Sequence, residues 1–166
     1  MEQNTTRKAK IALIGVGNEF RQDDGIGAFI VRALREQKLS DVALYEHRGE
    51  GVDLLGLWED FNTAILFDAV KSGSPPGTIH RFEFPEQDIP KSVFCCSTHV
   101  FSVADVIHLG KTLDQLPPRL IIYGVEGKYF DNGIGLSQEA KEAAEKVVEQ
   151  VTEEVLLILG LNSENL

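Results

Sequence analysis

Three separated positions in this chain carry side chains that could bind a transition metal together. An acidic pair, Asp23 and Asp24, lies in a loop that contains glycines. Asp68 follows the apolar run at residues 63–67, and His99 ends a Ser-Thr-His segment. Two carboxylates and an imidazole give a mixed oxygen and nitrogen ligand set, which suits nickel, zinc or iron better than magnesium or calcium. Three protein ligands would also leave coordination positions open for a substrate or a water molecule.

Each acidic candidate also has an ordinary structural interpretation. An aspartate just before a helix commonly caps that helix and complements its dipole. One of Asp23 and Asp24 is therefore expected to cap the following helix while the other binds the metal. Asp68 could form an Asx-turn at the start of a turn-rich loop. Glu126 and Asp131, which follow the last predicted strand, could line a substrate groove or could be solvated surface residues.

The loop at residues 15–27 superficially offers a dinucleotide-binding fingerprint. It has two glycines at its start, but the third glycine of the fingerprint would fall at Phe20. Glu19, Asp23 and Asp24 also place negative charge where a pyrophosphate requires positive potential. The loop therefore argues against nucleotide binding and favours a cation.

Cys95 and Cys96 offer a different chemistry, in which one thiol is a nucleophile and His99 is its base. Partners of that kind are usually distant in sequence, and buried reduced cysteines mostly act as small hydrophobic residues. Adjacent cysteines cannot build a disulfide framework, so both are expected to be reduced thiols. A thiol hydrolase is the weaker alternative.

Patterns typical of strands and helices alternate along the chain and must position these residues. Short apolar runs predict strands, and apolar residues repeated at helical spacing predict helices. The long C-terminal helix has Ser137 at its start and an inner stripe of Ala and Val. The predicted strands are 11–15, 42–45, 63–67, 79–84 and 120–125, and the predicted helices are 28–34, 52–58, 100–109 and 137–159.

This alternation predicts an α/β fold, a three-layer α/β/α sandwich with a mainly parallel central sheet of about five strands. Residues 1–166 are expected to form a single domain. The period-two pattern of residues 79–84 predicts a half-exposed strand at an edge of the sheet. In open sheets of this kind ligands bind beyond the carboxyl ends of the strands, which is where the candidate residues fall.

The overall charge limits the classes of partner. A formal net charge of −10 and a pI near 4.8 repel phosphate backbones and anionic lipid surfaces, so we expect neither nucleic acid nor a membrane as a partner. No apolar run approaches the roughly 18 to 20 residues that span a bilayer, and the first ten residues are polar, without a signal-peptide core. We therefore expect a cytoplasmic protein, and we favour a monomer.

The sequence resembles the nickel-iron hydrogenase maturation endopeptidases over nearly its whole length. Its most specific motif, at residues 15–27, is similar to that family's opening signature, in which the second acidic residue is a metal ligand; this selects Asp24 over Asp23. The segment around Asp68 and the Ser-Thr-His segment resemble the family's second and third ligand segments. One departure lies at residues 47–51, where many relatives carry a glycine-threonine element near the cleft, and it bears on the choice of partner.

The resemblance implies a compact α/β endopeptidase that acts on the precursor of a hydrogenase large subunit, already loaded with nickel on its own cysteines. The enzyme would remove the precursor's C-terminal extension, with Asp24, Asp68 and His99 as metal ligands and catalytic residues. Nickel would arrive with the substrate. A carboxylate not engaged with the metal could activate water as a general base. A non-catalytic nickel-binding maturation chaperone is the alternative from a different class.

Overall fold

The structure, a computed structural model, describes residues 10–49, 52–94 and 102–161. In this part of the chain the predicted strands and helices occur in the predicted order, and a short helix at Lys91–Phe94 that was not predicted lies between the fourth strand and the next predicted helix. The strands are β1 (Ile11–Val16), β2 (Val42–His47), β3 (Thr63–Val70), β4 (Ile79–Phe84) and β5 (Arg119–Glu126). The helices are α1 (Ile26–Glu36), α2 (Asp53–Trp58), α3 (Lys91–Phe94), α4 (Val103–Thr112) and α5 (Gln138–Ile158), and a 3₁₀ turn, Gln22–Gly25, precedes α1.

The five strands form one sheet in the order β2-β1-β3-β5-β4. The first four of these strands run parallel, whereas β4 pairs antiparallel with β5 at one edge. β1 and β3 are buried along their whole length because strands in the middle of a parallel sheet are covered on both faces. The predictions of a mainly parallel sheet and of a half-exposed edge strand at residues 79–84 are confirmed.

Side chains that alternate along each strand supply two core layers. In β3, Phe67 belongs to the layer that packs against α1 and α5, whereas Leu66 and Val70 belong to the layer that packs against α2 and α4. Since successive strand residues point to opposite faces, Asp68 lies on the α2 and α4 face. The layers form the expected α/β/α sandwich. In the part of the chain that the structure describes, no helix combines the length and apolarity needed to cross a membrane.

Capping side chains fix the starts of the two C-terminal helices. Ser137 accepts a hydrogen bond from the Ala140 N–H at the start of α5, as the sequence predicts. The predicted start of α4, at residue 100, is wrong: the helix begins at Val103. The cause is a capping box, in which Ser102 Oγ accepts from the Asp105 N–H and the Asp105 carboxylate accepts from the Ser102 N–H.

Candidate active site

The carboxyl ends of β1 and β3 lie at the point where the chain changes direction across the sheet. From β1 the chain passes through α1 to β2 on one side, and it then crosses to β3 on the other side of β1. Such a switch point leaves a crevice beyond the strand ends, where open α/β sheets bind ligands. The ladder between β1 and β3 ends at Gly15 and Phe67, and Asp68 is the next residue. The sequence placed Asp68 after its strand, but β3 continues to Val70 because it stays paired with β5.

Asp68 is a buried carboxyl group with little compensating contact in the described part of the chain. Its exposed fraction is 0 %, and neither Oδ1 nor Oδ2 has a hydrogen-bond partner there. Burial raises the pKa of Asp68 well above its usual range, and the negative charge of Asp24 raises it further; the Ala69 backbone has a weaker, opposite effect. The Asx-turn interpretation is therefore wrong. A bound cation is one way to compensate such a group.

Asp24 reaches the same crevice on the loop that joins β1 to α1. It lies in the 3₁₀ turn, is 2 % exposed, and its Oδ2 accepts a hydrogen bond of 3.0 Å from the Asn18 N–H. Gly17 allows the close approach of the two chain segments: its φ is 136°, and a Cβ there would lie 2.0 Å from the Asp24 carbonyl oxygen. The charge of Asp24 acts on Asp68, so the two carboxyl groups form one electrostatic pair.

The glycines at residues 15–27 allow α1 to pack directly on the sheet. A Cβ at Gly27 would lie 2.7 Å from the carbonyl oxygen of Phe67, and a Cβ at Gly15 would lie 2.2 Å from that of Gly27. The first turn of α1 therefore rests on β1 and β3, which fixes Asp24, just before it, above the strand ends. The spacing that superficially matches a dinucleotide fingerprint has this steric explanation.

Asp23, the other acidic candidate in the loop, holds two segments of the chain together. Its carboxylate accepts hydrogen bonds from the backbone N–H groups of Lys128 (2.7 Å), Tyr129 (3.1 Å) and Ser137 (2.7 Å), and from the Ser137 hydroxyl (2.8 Å). The N-cap residue of α1 is Gly25, which has no side chain that could cap the helix, so the predicted cap by one of the two aspartates is wrong. The structure gives Asp23 a structural role and Asp24 the position beside Asp68. The sequence shows the acidic pair but not the distant loop that Asp23 binds.

Glu126 is a further buried carboxylate with a structural role. It is 2 % exposed and accepts hydrogen bonds from the Ser72 N–H (2.7 Å), the Ser72 hydroxyl (2.7 Å) and the Gly73 N–H (3.0 Å). It therefore fixes the turn after β3, and both interpretations offered by the sequence, a groove residue and a solvated residue, are wrong for it. Asp131 is exposed.

A small cavity lies beside the Asp24 loop, on the side of β2. Its volume is about 160 Å³, and its lining includes Glu19, Arg32, Glu46, His47 and Arg48. Arg32 donates hydrogen bonds to both Glu19 (2.7 Å) and Glu46 (2.8 Å), and its hydrogen bond holds the pKa of Glu19 below the usual value. The sequence departs from the resembled family at residues 47–51. The first two residues of this segment, His47 and Arg48, line the cavity.

His99, Cys95 and Cys96 lie outside the described residues, so the third predicted ligand and the thiol alternative stay predictions. Within residues 10–49, 52–94 and 102–161, no group of three His, Cys, Asp or Glu side chains is arranged to hold a metal ion. Asp24 and Asp68 are therefore a pair in the described structure. A third ligand has to come from the rest of the chain, from the substrate or from water.

The segment that contains His99 lies between α3 and α4 in the chain, and α3 ends at Phe94. A Cβ at Gly124 would lie 3.3 Å from the Phe94 ring, so Phe94, the last residue of α3, packs over Gly124. Gly124 is the β5 residue paired with Asp68. The chain therefore enters this segment on the face of the sheet that Asp68 occupies.

Two buried and electrostatically coupled carboxyl groups at the strand ends can perform two kinds of chemistry. Together Asp24 and Asp68 could bind a divalent cation, whose charge would offset their mutual repulsion and the burial of Asp68. Separately, a carboxylate whose pKa is raised is a better acceptor for a proton from water. Both kinds of chemistry are used in hydrolytic sites.

Comparisons with known proteins place the chain in one family. A sequence model of the hydrogenase maturation protease family matches residues 30–154, a range that contains Asp68 and His99 and begins after Asp24. The hydrogenase 2 maturation protease of Escherichia coli strain K12 is 29 % identical over 147 residues, which cover 86 % of this chain and 88 % of that protein. The hydrogenase expression/formation protein HupD of Thiocapsa roseopersicina is 29 % identical over 149 residues, 87 % of this chain and 66 % of that longer protein.

The fold agrees with the sequence matches. The solved structure of the hydrogenase maturating endopeptidase HybD from E. coli superposes with a TM-score of 0.70 at 25 % sequence identity, covering 91 % of this chain and 94 % of that one. The matched family model extends over well more than half of the present chain. The chain therefore belongs to the hydrogenase maturation protease family.

Proposed function

We propose that this protein is an endopeptidase that removes the C-terminal extension from the nickel-loaded precursor of a nickel-iron hydrogenase large subunit. Family membership supports a peptidase of hydrogenase maturation. One observation assigns this activity to a particular site: Asp24 and Asp68 form a buried pair at the switch point. Among the described residues, neither Asp68 oxygen has a hydrogen-bond partner. The protein would act in the cytoplasm as a monomer, with neither nucleic acid nor a membrane as a partner.

The nickel in this proposal belongs to the substrate. Asp24, Asp68 and His99 would contact it, because carboxylates and imidazole are ligands that nickel accepts. Only a loaded precursor could make this contact, so recognition of the loaded state and positioning of the adjacent peptide bond would coincide. The bound ion would polarise the carbonyl group of that bond as a Lewis acid.

The two aspartates differ in ways that suit different roles. Asp24 is oriented by the Asn18 N–H, which suits a fixed ligand. Asp68 has a raised pKa and no hydrogen-bond partner in the described structure; once the charge of the bound nickel favours its ionised form, it would suit a group that accepts a proton from the attacking water. The water oxygen would then bond to the carbonyl carbon, the C–N bond would break, and the proton would pass from Asp68 to the leaving amine.

Mass spectrometry of the nickel-loaded precursor after incubation with the protein tests the proposal. The wild-type protein is expected to release the tail peptide. Asp24→Asn, Asp68→Asn and His99→Ala are expected to slow release by at least about 100-fold, the usual size of a general acid–base contribution. A wild-type rate in any of these variants would refute the role of that residue.

The same assay separates the alternatives. Cys95→Ala and Cys96→Ala are expected to cleave at close to the wild-type rate. Loss of cleavage in one of them would favour the thiol hydrolase. Tight nickel binding by the wild-type protein without any released peptide would favour the non-catalytic chaperone.

A further inference from the structure

Exposed apolar side chains occur on both loops that flank the turn carrying Asp24. Among the large hydrophobic residues that the described structure exposes, Phe20 (54 %), Tyr129 (49 %) and Ile134 (81 %) lie on these two loops. We call these three residues the apolar rim. Single exposed apolar residues are ordinary, but several on adjoining loops around a site are typical of a surface that contacts another protein.

The apolar rim is built on a hydrogen-bonded base. The Gly133 N–H donates to the Phe20 carbonyl oxygen (2.9 Å), and the Asp23 N–H donates to the Tyr129 carbonyl oxygen (3.0 Å). The Asp23 carboxylate adds the bonds to the second loop described above. The rim and Asp24 therefore share one framework, which presents the apolar side chains in a preorganised arrangement.

A groove of about 710 Å³ adjoins the rim, between α1 and residues 134–136. This volume lies within the range of about 300–1,000 Å³ that is usual for ligand sites. Gly25, which directly follows Asp24, is part of the wall, so the groove begins next to the proposed active site. The apolar part of the lining is formed by Phe29, Ala33, Ile134 and Leu136.

We propose that the apolar rim and this groove bind an extended segment of the large-subunit precursor that adjoins the cleaved bond, through that segment's apolar side chains. This inference rests on the proposed function. If the cleaved bond lies at Asp24 and Asp68, the loops that carry the rim are the surface next to it, because both are hydrogen-bonded to the turn that contains Asp24. Gly25, the residue after Asp24, lines the groove, so a substrate chain that passes the Asp24 turn would meet the groove directly.

Steady-state kinetics with the nickel-loaded precursor test the docking surface. Phe20→Ser and Ile134→Ser are each expected to raise KM about tenfold, while kcat stays within about twofold, because they remove binding that substrate and transition state share. Leu157→Ser is the matched control: this side chain on α5 is 77 % exposed, and its removal is expected to leave both constants unchanged. The three side chains are largely in solvent, so thermal denaturation should show folded variants.

A direct binding measurement completes the test. In the Asp68→Asn background, in which turnover is expected to be at least about 100-fold slower, Ile134→Ser should raise the Kd for the loaded precursor about tenfold. An unchanged Kd and KM, or an equal change in Leu157→Ser, would overturn the docking surface and leave cleavage at Asp24 and Asp68 intact.

Sedimentation provides a second test. A wild-type dimer that Ile134→Ser breaks would also overturn the proposal, in favour of a second copy of the chain as the occupant of the groove. Failure of the proposed function is a separate result, since no tail would then be released at any precursor concentration.

Discussion

Asp68 is fully buried, although a carboxylate is most stable in water. A carboxyl group near the carboxyl end of a buried strand, with apolar neighbours before and after it, loses water, and the weak contact with the Ala69 backbone compensates this loss only in small part. Its negatively charged neighbour, Asp24, adds to the cost of ionisation. A carboxyl group perturbed in this way and placed in a crevice is a functional candidate with a physical rationale, because a chain under selection for stability alone would not retain it.

Asp68→Asn is expected to stabilise the metal-free protein. Because the pKa of Asp68 is raised in the folded state, the fold favours the protonated carboxyl group. The unfolded chain loses this proton near pH 4, so wild-type stability falls as the pH rises from there through the folded-state pKa. The amide avoids this loss. Urea unfolding in EDTA should show the variant more stable by about 0.5–2 kcal/mol, with a larger difference at pH 8 than at pH 5.

The exposed Asp131 provides the control for this measurement. Asp131→Asn should leave the stability unchanged within about 0.5 kcal/mol at both pH values. A gain in Asp68→Asn that shrinks as the pH rises would mean that Asp68 is not a buried group that the fold keeps protonated.

At the scale of elements, α1 is joined to the sheet by backbone contacts that only glycine permits. Gly27→Ala is expected to destabilise the protein by about 1–3 kcal/mol, because its Cβ would meet the carbonyl oxygen of Phe67 at 2.7 Å and would push the start of α1 away from the strands. Since Asp24 immediately precedes this helix, cleavage should fall as well. Urea unfolding and the peptide-release assay measure the two effects.

Gly56→Ala is the control for Gly27→Ala, because it adds the same methyl group at a position without close packing. Gly56 lies inside α2, and a Cβ there would meet nothing within 4 Å. Gly56→Ala should therefore stabilise the protein by about 0.5–1 kcal/mol through helix propensity alone. If both alanine variants changed stability by the same amount, close packing would not be the reason for the glycine at position 27.

The strands and helices also show which structural features the sequence could predict. The strands were predictable because apolar runs of Val, Ile and Leu mark buried parallel strands, and the edge strand β4 because its pattern has period two. The position of Asp68 inside β3 was not, because the strand is extended by its pairing with β5. The role of Asp23 was also hidden, because its hydrogen-bond donors come from a loop more than a hundred residues further along the chain.

At the scale of the whole molecule, strand order brings the candidate site together. Asp24 and Asp68 are distant in sequence, and they meet because β3 pairs with β1 while β2 is displaced to the far side of β1. The general rule for open sheets predicted that the site lies at the carboxyl edge of the sheet. The strand order, which brings Asp24 and Asp68 together at that edge, could not be read from the sequence. His99 stays a prediction; the last described residue before its segment, Phe94, packs at Gly124 on the face of the sheet that Asp68 occupies.

The most direct measurement is anomalous diffraction from crystals soaked in millimolar zinc, which would stand in for the nickel of the substrate. We predict one ion between the carboxylates of Asp24 and Asp68, at metal–oxygen distances of about 2.0–2.2 Å, with His99 as a nitrogen ligand. Ordered Asp24 and Asp68 side chains that point apart, with no ion between them, would contradict the assignment of this site.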